Sequence, residues 1–531
     1  MKQKGREREK RMMILEKIFD AYNEIKNNNA IITDGECMTY ERLWEESDRL
    51  GSWIRDNYED SDMPVVVYGH KSPMMLVCFL ACVKSGRAYC PVDISMPADR
   101  IRDIILTVGN PLVLLSEDTY WKNDVSEIFE EETGTSPNFV GREMLEKISL
   151  EYEAKSLREF WVKPEDTFYI IFTSGSTGKP KGVKISYDSL SRFTDWSLSL
   201  GEDREINRLS HLPKKDLVYM NQAPFSFDLS VMDIYIYLAG GGTVYCLTKE
   251  VQKNMAKMLE TMNKGNISFW VSTPSFADMC LADRSFNKEL LPGLKAFLFC
   301  GEKLAKDTAS KLLERFDGVK IINTYGPTES TVAVTDIEIT EEMISAESSL
   351  PIGRVKPGSE IEIADNGEII IKGDTVSLGY YKDPEKTSAV FYEKGGKRCY
   401  RTGDEGYFEG DVLYYKGRID LQVKLHGYRI ELGDIENNLL DIDNISGACV
   451  VPKRDGEKIK YLVAYLVLSD DESSEAVADR AAERALTKSL KDKLKEKLPE
   501  YMVPKKICFV DSLPLTGNGK MDRKKVEGWI K

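Results

Sequence analysis

The sequence predicts an α/β protein: a large N-terminal domain of helix-covered, mostly parallel β-sheets plus a small β-barrel-like region, followed by a small α+β C-terminal lid domain. Three observations lead to this prediction. Apolar, strand-like runs alternate with longer helical patterns over most of residues 1–400. After Pro351 the pattern changes to short alternating strands with tight turns. From residue 418 a smaller α+β segment begins. We therefore expect two domains, at 1–417 and 418–531.

Composition and length limit the possible functions. At 531 residues the chain exceeds one ordinary domain, and its net charge of −14 argues against non-specific binding of nucleic acid. The longest apolar run, 74–83, is too short to span a bilayer, and the charged N-terminus lacks the apolar segment of a secretory signal. Ten cysteines without a CxxC pair, beside three histidines, give no zinc-ligand spacing. We expect a cytoplasmic protein with reduced thiols.

Strand and helix patterns follow one another along the first domain. Apolar runs at 64–70, 266–273 and 294–302 are each followed by a helical pattern, the last of them at 306–316. Such alternation is typical of parallel sheets covered by helices on both faces. Residues 359–373 and 405–418 instead read as β-hairpins, with Asn-Gly and Glu-Gly turns.

One amphipathic helix is predicted near the C-terminus. Leucines at 486, 490, 494 and 498 repeat every four residues, and Pro499 ends the pattern. Lysines at 488, 491, 493, 495 and 497 surround this apolar stripe. They form either a solvated face or a docking surface for an acidic partner, and the sequence leaves both open.

The most informative motif is a loop after a predicted buried strand at 167–172. It combines small residues, hydroxyls and an ammonium group: Thr173, Ser174, Gly175, Ser176, Thr177, Gly178 and Lys179. Backbone N–H groups exposed by small residues, together with hydroxyl donors and positive charge, form a cradle for phosphate oxygens. Pro180 follows Lys179, so no helix begins there as it would in a kinase-type P-loop. A glycine- and serine-rich surface linker is the alternative.

A second motif, 323–331, follows another predicted strand. Tyr325 beside the Gly326-Pro327 turn could stack on a purine, and the Thr328 hydroxyl could reach a phosphate. Glu329 is a candidate Mg²⁺ ligand, because magnesium prefers carboxylate and phosphate oxygens. Taken alone, this motif could also be an ordinary turn at the end of a strand.

A third motif spans 400–436. Asp404 is suited to accept hydrogen bonds from vicinal ribose hydroxyls, and Arg418 could offer a two-pronged contact to phosphate. Asp420 lies where the hairpin region meets the smaller segment, which makes it a candidate hinge. Gly427 is suited to a position where another chain approaches the backbone closely. Each residue alone could be a surface charge or turn, and their order and spacing favour a site.

A fourth motif, 513–526, presents Lys520 after a Gly-Asn-Gly turn near the C-terminus. A mobile lysine could neutralise a carboxylate and an α-phosphate together while an acyl phosphate bond forms. A lysine-rich tail is the alternative.

These four motifs occur in the order found in the AMP-forming adenylating superfamily of acyl-CoA synthetases, luciferases and peptide-synthetase adenylation domains. The chain resembles this superfamily over nearly its whole length, with further matches at 85–101 and 369–380. Within it, residues 222–235, 270–281, 298–302 and 323–335 resemble those of the D-alanine–D-alanyl carrier protein ligases. Those enzymes load D-alanine onto a small carrier protein for the decoration of teichoic acids in the cell wall.

The resemblance implies ATP and Mg²⁺ as cofactors and assigns roles to matching positions. Lys520, Glu329 and Thr328 would be catalytic, with Glu329 on the metal. Asp228 would pair with the substrate ammonium, and Leu229, Cys300, Val332 and Lys520 would also contact the amino acid. Asp420 would be the hinge and Gly427 would lie in the thiolation channel. The ATP contacts would be Thr173, Ser174, Gly175, Ser176, Thr177, Gly178, Lys179, Asn323, Thr324, Tyr325, Gly326, Pro327, Thr328, Asp404, Tyr415, Lys416, Gly417, Arg418 and Lys520.

The amino-acid pocket also has support from the residues themselves. Asp228 lies in an otherwise apolar run, where losing the partner of a buried charge costs roughly 3–5 kcal/mol, so a cationic ligand would complement it. A structural aspartate bonded to backbone is the alternative. Leu229, Met232, Cys300 and Val332 could close a cavity suited to alanine, although Cys300 could equally be plain core packing.

Three positions depart from the superfamily pattern. Tyr187 stands where many relatives carry histidine, Gly517 replaces a common proline, and Ile236 stands where D-alanine ligases often have proline. None of the three removes a reacting group.

We therefore expect an AMP-forming ligase with an ATP- and amino-acid-binding core and a mobile lid that carries Lys520. It would activate D-alanine, release pyrophosphate, and pass the amino acid to the thiol of a separate, acidic, phosphopantetheinylated carrier protein, because the chain ends eleven residues after Lys520. A peptide-synthetase-type adenylation enzyme for another small amino acid is the nearby alternative. A non-catalytic nucleotide-binding sensor is the alternative from another class.

Overall fold

The computed structural model describes residues 11–58, 63–117, 126–134, 137–174, 180–200, 216–456, 458–469, 480–514 and 521–530. Five predicted phosphate-loop residues (Gly175, Ser176, Thr177, Gly178 and Lys179) and the predicted catalytic Lys520 lie outside these ranges.

The helices of the described residues are α1 (Ile14–Ile25), α2 (Tyr40–Asn57), α3 (Pro73–Lys84), α4 (Ala98–Val108), α5 (Ser126–Thr133), α6 (Arg142–Glu151), α7 (Tyr187–Ser197), α8 (Leu229–Gly240), α9 (Lys249–Gln252), α10 (Met255–Lys264), α11 (Pro274–Leu281), α12 (Lys306–Arg315), α13 (Glu341–Ser345), α14 (Pro384–Val390), α15 (Leu432–Leu440), α16 (Arg480–Lys497) and α17 (Arg523–Glu527).

The strands are β1 (Asn29–Thr33), β2 (Glu36–Thr39), β3 (Val65–Gly69), β4 (Tyr89–Asp93), β5 (Val113–Leu115), β6 (Phe139–Val140), β7 (Thr167–Thr173), β8 (Lys181–Ser186), β9 (Val218–Asn221), β10 (Thr243–Cys246), β11 (Phe269–Ser272), β12 (Ala296–Phe299), β13 (Lys320–Tyr325), β14 (Thr335–Glu338), β15 (Arg354–Val355), β16 (Ser359–Ile363), β17 (Glu368–Gly373), β18 (Phe391–Lys394), β19 (Lys397–Glu409), β20 (Val412–Arg418), β21 (Gln422–Leu425), β22 (Tyr428–Glu431), β23 (Ile445–Asp455), β24 (Lys458–Leu468) and β25 (Lys506–Phe509).

The first sheet has the strand order β6-β5-β3-β4-β7-β8. Its strands are parallel except for β8, which runs antiparallel to β7. Strand β3 is buried along its whole length, as expected for a β-branched run in a parallel sheet that is covered on both faces. Helix α3 follows it, with Ser72 as N-cap and Pro73 in the first turn, both favoured at a helix start.

The second sheet has the order β15-β14-β13-β12-β11-β9-β10-β1-β2. Strands β9 to β13 are parallel, so their carboxyl ends meet at one edge. The loops leaving β9, β12 and β13 at this edge carry Asp228, Gly301 and Thr328. Open α/β sheets bind ligands at such carboxyl edges, which places the predicted site residues where a ligand is expected.

Residues 359–418 form an antiparallel sheet of β16, β17, β18, β19 and β20. The predicted hairpins are its β16–β17 and β19–β20 pairs. In the second pair Asp404 lies directly opposite Arg418, so the register of the two strands brings both residues to one place.

The C-terminal part contains the hairpin β21–β22, the sheet β23-β24-β25 and helices α15 to α17. Its core includes Leu490 and Leu494 of α16 and Leu498 directly after it, and Leu486 packs against them, so the predicted leucine stripe faces the core. The predicted fold class, a parallel-rich α/β protein with a C-terminal α+β domain, is confirmed. The boundary at 417/418 stays a prediction. Among the described helices, none has both the length and the apolar character needed to cross a bilayer.

Candidate active site

A small pocket forms where α8 begins beside the ends of β12 and β13. Asp228, Leu229, Cys300 and Val332 line a cavity of about 30 Å³, room for one small side chain. All four residues are buried. The Cys300 thiol lies 3.6 Å from the carbonyl oxygen of Val332, so two walls of the pocket contact each other. The structure thus brings together the four residues to which the sequence assigned amino-acid contacts beside Lys520.

Asp228 is a buried carboxylate without a full countercharge. The Thr328 side chain is near enough to lower the pKa of Asp228, and no ion pair of Asp228 is found among the described residues. Burial raises its pKa to about 6, against the opposing effects of Thr328, Lys424 and Arg429. A ligand that carries an ammonium group would supply the missing charge.

The wall opposite Asp228 is a strained turn. Thr331 and Val332 have φ values of 61° and 67°, a left-handed conformation that β-branched residues rarely adopt. One hydrogen bond holds this turn: the Thr331 hydroxyl donates to the carbonyl oxygen of Thr375 at 2.7 Å. The backbone of Gly326 also lies so close to the turn that a Cβ atom there would be only 2.5 Å from the Cα of Ala333. The backbone can follow this path because residue 326 is glycine.

The described part of the predicted phosphate loop lies next to this pocket. Thr173 ends β7, and its hydroxyl oxygen is buried without a hydrogen-bond partner among the described residues. The Ser174 hydroxyl donates to the backbone oxygen of Arg429 at 2.7 Å. An unpartnered buried hydroxyl is uncommon, and a phosphate oxygen would satisfy it.

Glu329 is fully buried in a short 3₁₀ turn and is surrounded by donors. Arg429 Nη1 lies 2.6 Å from one carboxylate oxygen, the Tyr380 hydroxyl donates to the other at 2.9 Å, and Lys181 Nζ is 3.8 Å away. Burial would raise the pKa of Glu329, but Arg429 and Lys181 outweigh it and lower that pKa to about 2. The group is therefore an anion at neutral pH.

This carboxylate fits a magnesium ion in its chemistry. Mg²⁺ in phosphate-transferring sites is held by one or two carboxylates together with substrate phosphates and waters. Glu329 supplies one such carboxylate, and Arg429, which contacts it, also accepts a hydrogen bond from the Ser174 hydroxyl through its backbone oxygen. Within the described ranges no group of three or more His, Cys, Asp or Glu side chains could hold a metal by itself. A metal at Glu329 would therefore need ligands from the substrate.

The predicted nucleotide residues surround a cavity of about 400 Å³. Its lining includes Thr324, Tyr325, Gly326, Tyr415, Lys416, Gly417 and Arg418. Asp404 accepts from the Tyr325 hydroxyl at 2.6 Å and from Arg418 Nη1 at 2.9 Å. Each carboxylate oxygen keeps a second lone pair, which a ribose hydroxyl could use. The fork of Arg418 is directed at Asp404 and Asp420 in this structure.

Two other predicted ATP contacts use their side chains within the protein. The Asn323 amide donates to the backbone oxygen of Pro351 at 2.7 Å, and the Thr324 hydroxyl donates to that of Phe299 at 2.8 Å. Pro327 lines the small pocket beside Asp228. These bonds fix the end of β13, from which the Thr328 turn begins.

The hairpin β21–β22 of the C-terminal part inserts into the site. The Gly427 amide at its tip donates to Glu302 Oε1 at 2.8 Å, and a Cβ atom at Gly427 would overlap the Thr273 side chain. Gly427 thus lies where two parts of the chain approach closely. Asp420, the predicted hinge, is 42% exposed and accepts from Arg418.

Sequence reasoning missed several residues of the site. Arg429, Tyr380 and Lys181, which surround Glu329, were not assigned roles there. A signal was present for Arg429, because it is a cation two residues after Gly427, a position that the sequence already placed near the site. A second cavity of about 410 Å³ between the hairpin and the core was also missed.

His70 and Asp93 line that second cavity, together with Thr173, Phe227, Tyr428 and Tyr501. His70 Nδ1 lies 2.7 Å from Asp93 Oδ2, and the Lys249 amide donates to His70 Nε2 at 3.0 Å. Both ring nitrogens are therefore occupied, and the imidazole is fixed as part of the wall.

The departures at 187 and 236 are structural. The Tyr187 hydroxyl accepts from the Leu15 amide at 3.1 Å, which ties α1 to α7. Ile236 lies within α8 and is buried in the main core.

Two family models match the chain. The AMP-binding enzyme model matches residues 19–381, and the AMP-binding enzyme C-terminal domain model matches residues 434–520. The gap between the two matches contains Asp404, Arg418 and the predicted hinge.

The chain is similar to curated proteins over almost its whole length. It is 41% identical to a D-alanine–D-alanyl carrier protein ligase of Bacillus cytotoxicus, covering 97% of this chain and 99% of that protein. It is 42% identical to the protein of the same name from Bacillus anthracis, with the same coverage.

Solved structures share the fold. The amide bond synthetase McbA from Marinactinospora thermotolerans matches with a TM-score of 0.80 at 21% identity, covering 98% of this chain and 100% of that chain. The Vibrio cholerae adenylation domain AlmE, solved with glycyl-adenosine-5′-phosphate, matches with a TM-score of 0.76 at 21% identity, covering 99% of both chains.

Proposed function

The chain belongs to the AMP-binding enzyme family, and on that premise we propose that it is a D-alanine–D-alanyl carrier protein ligase. It activates D-alanine with ATP as the aminoacyl-AMP, releases pyrophosphate, and transfers the amino acid to the phosphopantetheine thiol of a separate carrier protein. The observation that carries the proposal is the Asp228 pocket. It combines a buried carboxylate, space for about a methyl group and direct contact with the Thr328–Glu329 turn.

The first half-reaction follows from this arrangement. The substrate ammonium pairs with Asp228, and the methyl group enters the cavity beside Cys300 and Val332. The substrate carboxylate then attacks the α-phosphorus of ATP, and the bond to the β-phosphate oxygen breaks to release pyrophosphate. A magnesium ion at Glu329, when bound, would neutralise charge on the phosphates. Thr173 and Ser174 supply hydroxyl donors to the same groups.

Lys520 is proposed to stabilise charge on the transferring group in this step, a role that rests on the resemblance alone. The other nucleotide contacts that we propose are the loop residues 175–179, the turn from Asn323 to Thr328, Asp404, and residues 415–418. Asp404 would hold the ribose through the lone pairs that Tyr325 and Arg418 leave free.

In the second half-reaction the lid, residues 418–531, turns about Asp420. The thiol of the carrier's arm attacks the acyl carbonyl, and AMP leaves as the mixed anhydride breaks. We propose that the cavity of about 410 Å³ lined by Phe227 and Tyr428 admits this arm. Gly427 at the hairpin tip keeps the passage open, because any side chain there would meet Thr273. We propose a cytoplasmic enzyme that acts with an acidic carrier in teichoic acid D-alanylation.

Amino-acid-dependent pyrophosphate exchange tests the function directly. Purified protein is assayed with D-alanine, L-alanine, glycine and serine, and then with a phosphopantetheinylated D-alanyl carrier protein. We expect the highest exchange with D-alanine and formation of a thioester on the carrier. Preference for another small amino acid would indicate a peptide-synthetase-type adenylation enzyme. Absence of AMP formation with every acid would indicate a nucleotide-binding protein without this activity.

Substitution of Lys520 tests the division of labour between the two steps. Lys520→Ala should lower adenylate formation by roughly 10²–10³-fold, the loss typical of removing one charge-stabilising donor. Transfer from preformed D-alanyl-AMP to the carrier thiol should be largely retained. Lys524→Ala, which changes an exposed lysine of the same region, is the matched control. Equal loss of both steps would contradict the proposed role.

A further inference from the structure

The exposed side of α16 is basic, although the whole chain has a net charge of −14. Seven of the eighteen residues of this helix are lysine or arginine and three are aspartate or glutamate, so the helix is positively charged overall. Leu490 and Leu494 hold its other side in the core of the lid. The positive charge therefore faces outward, and the proposed mechanism does not use it.

Five of these cations form a continuous stripe, here called the basic face of α16. They follow one another at intervals of four, four, three and four residues, a spacing that places side chains on one side of a helix. An open groove of about 550 Å³ runs along the stripe. Among the described residues the ion pair of this helix joins Lys497 to Asp441, and no cation of the stripe takes part in one. The basic face consists of Arg480, Arg484, Lys488, Lys491 and Lys495.

The basic face leads to the cavity that we propose for the carrier's arm. Helix α16 ends at Lys497, and residues 499–501, which follow it, line that cavity of about 410 Å³. Lys491 Nζ donates to the backbone oxygen of Lys505 at 2.7 Å, so the helix is fixed to the segment beyond these residues. A protein bound along the C-terminal half of α16 therefore lies next to the cavity.

The chemistry of the basic face favours an acidic protein. Interfaces match positive patches with negative ones, and the carrier that the proposed function requires is acidic and must reach the adjoining cavity. An anionic lipid surface fits less well, because helices that bind membranes insert an apolar face. The apolar face of α16 is buried in the lid core instead. Residues 470–479, which precede the helix and include five acidic side chains, are a further candidate by charge alone.

We propose that the basic face of α16 is a docking surface for the acidic carrier protein and orients it so that its arm enters the cavity beside Tyr501. This rests on the proposed function for the identity of the partner. Charges at the rim of an interface mainly accelerate and orient the encounter. Loss of the basic face should therefore weaken carrier loading and leave the adenylation step unchanged.

Reversal of three exposed charges tests the docking surface. The variant Arg484→Glu/Lys488→Glu/Lys495→Glu should load a phosphopantetheinylated carrier protein with a kcat/KM lowered roughly 10- to 100-fold, the range that electrostatic steering covers. Its amino-acid-dependent pyrophosphate exchange should equal that of the parent, which also shows that the variant is folded. Lys491 is left in place because it bonds to the backbone of Lys505.

A matched control carries the same change in net charge elsewhere. Lys264→Glu/Lys311→Glu/Lys397→Glu alters three exposed lysines of the N-terminal domain and should load the carrier like the parent. Free pantetheine, which has the thiol without the protein surface, should accept the amino acid equally from all three proteins. Added salt should weaken carrier loading by the parent and the control more than loading by the α16 variant.

Binding of the carrier without turnover separates this proposal from the function on which it rests. Calorimetry with the phosphopantetheinylated carrier, in the absence of ATP and amino acid, should show at least roughly tenfold weaker binding to the α16 variant than to the parent. Failure of D-alanine-dependent exchange beside this difference in binding would count against the substrate assignment alone.

Three results would overturn the proposal. The first is equal carrier binding and loading by the parent and the α16 variant, or an equal loss in the control variant. The second is equal loading beside binding of anionic phospholipid vesicles that only the α16 variant loses, which would assign the basic face to a lipid surface. The third is equal loading beside a thermal midpoint lowered only in the α16 variant, which would assign it to residues 470–479.

Discussion

Two buried carboxylates on neighbouring turns of the site, Glu329 and Asp228, are treated in opposite ways by the protein. Glu329 has a guanidinium, an ammonium group and a phenol around it, and its pKa is lowered to about 2. Asp228 has the Thr328 side chain, and burial raises its pKa to about 6. The protein itself supplies the countercharge of Glu329, whereas we propose that a ligand supplies that of Asp228.

The difference arises from which parts of the chain approach each group. Arg429 reaches Glu329 from the lid hairpin, so the pair exists only while the hairpin is docked. Asp228 stands at the start of α8 and faces Cys300 and Val332, which are apolar walls of the core. We therefore expect substitutions at 329 to change the position of the lid and substitutions at 228 to change ligand binding.

The largest expected effect is on hairpin docking. Glu329→Gln removes the carboxylate that neutralises Arg429, and breaking a buried pair from one side costs roughly 3–5 kcal/mol. The docked state should become at least about a hundredfold less populated, since each 1.4 kcal/mol is about a factor of ten. Hydrogen exchange of residues 422–431 measures this. Asp228→Asn should leave that exchange unchanged. Equal protection of the hairpin in both variants would show that Glu329 and Asp228 do not differ in their effect on docking.

Amino-acid binding should respond next. Asp228→Ala removes the proposed partner of the substrate ammonium, so the KM for D-alanine in pyrophosphate exchange should rise by about a hundredfold, or roughly 3 kcal/mol. The KM for ATP should change little, because Asp228 lines the small cavity that we propose for the amino acid. An unaltered KM for D-alanine would show that the ammonium binds elsewhere.

In the absence of ligand, Asp228→Asn is expected to stabilise the folded protein against unfolding. The pKa of Asp228 in the folded state, about 6, lies above that of an unfolded aspartate, so ionisation of this group disfavours folding. That penalty is fully present above about pH 6 and disappears as the pH falls toward the unfolded value. The asparagine variant should therefore be more stable by roughly 1–3 kcal/mol at pH 8. Thermal midpoints at pH 8 and pH 5 measure it, and a lower midpoint at pH 8 would contradict the argument.

The smallest expected effect is the pH dependence of substrate binding. Below its pKa of about 6, Asp228 is protonated and no longer attracts the ammonium group. The KM for D-alanine should therefore fall about tenfold as the pH rises from 5 to 7 and then become constant. Asp228→Asn should show a flat profile across this range. The same slope in both proteins would assign the titration to a different group.

The core of the site could be predicted from sequence because its residues stand in local motifs. Thr173 and Ser174 follow a buried strand, Thr328 and Glu329 follow another, and parallel strands deliver their ends to one edge. Asp228 could be singled out because a carboxylate in an apolar run needs a partner. The apolar runs at 64–70 and 294–302 could also be predicted as strands from their local pattern, and they form β3 and β12.

What could not be predicted depends on how the lid meets the core. Arg429 pairs with a residue a hundred positions away, and no local pattern encodes that distance. The cavity lined by His70 and Tyr428 likewise exists only between separate parts of the chain. The sequence placed Gly427 at a close approach but did not identify Thr273 as the group approached. The roles of Lys520 and of the ATP contacts stay predictions.

The left-handed turn at Thr331 and Val332 has a consequence for redesign of the pocket. A residue held in this conformation stores roughly 1–3 kcal/mol, which the surrounding contacts must offset. Val332 is therefore a pocket wall held under backbone strain. Val332→Gly would relieve this strain and make the wall less rigid, so the cavity would lose its defined shape and would not simply become larger. For a larger substrate, Leu229 in the first turn of α8 or Cys300 directly after β12 is the better position to shorten, because neither residue has the left-handed backbone conformation.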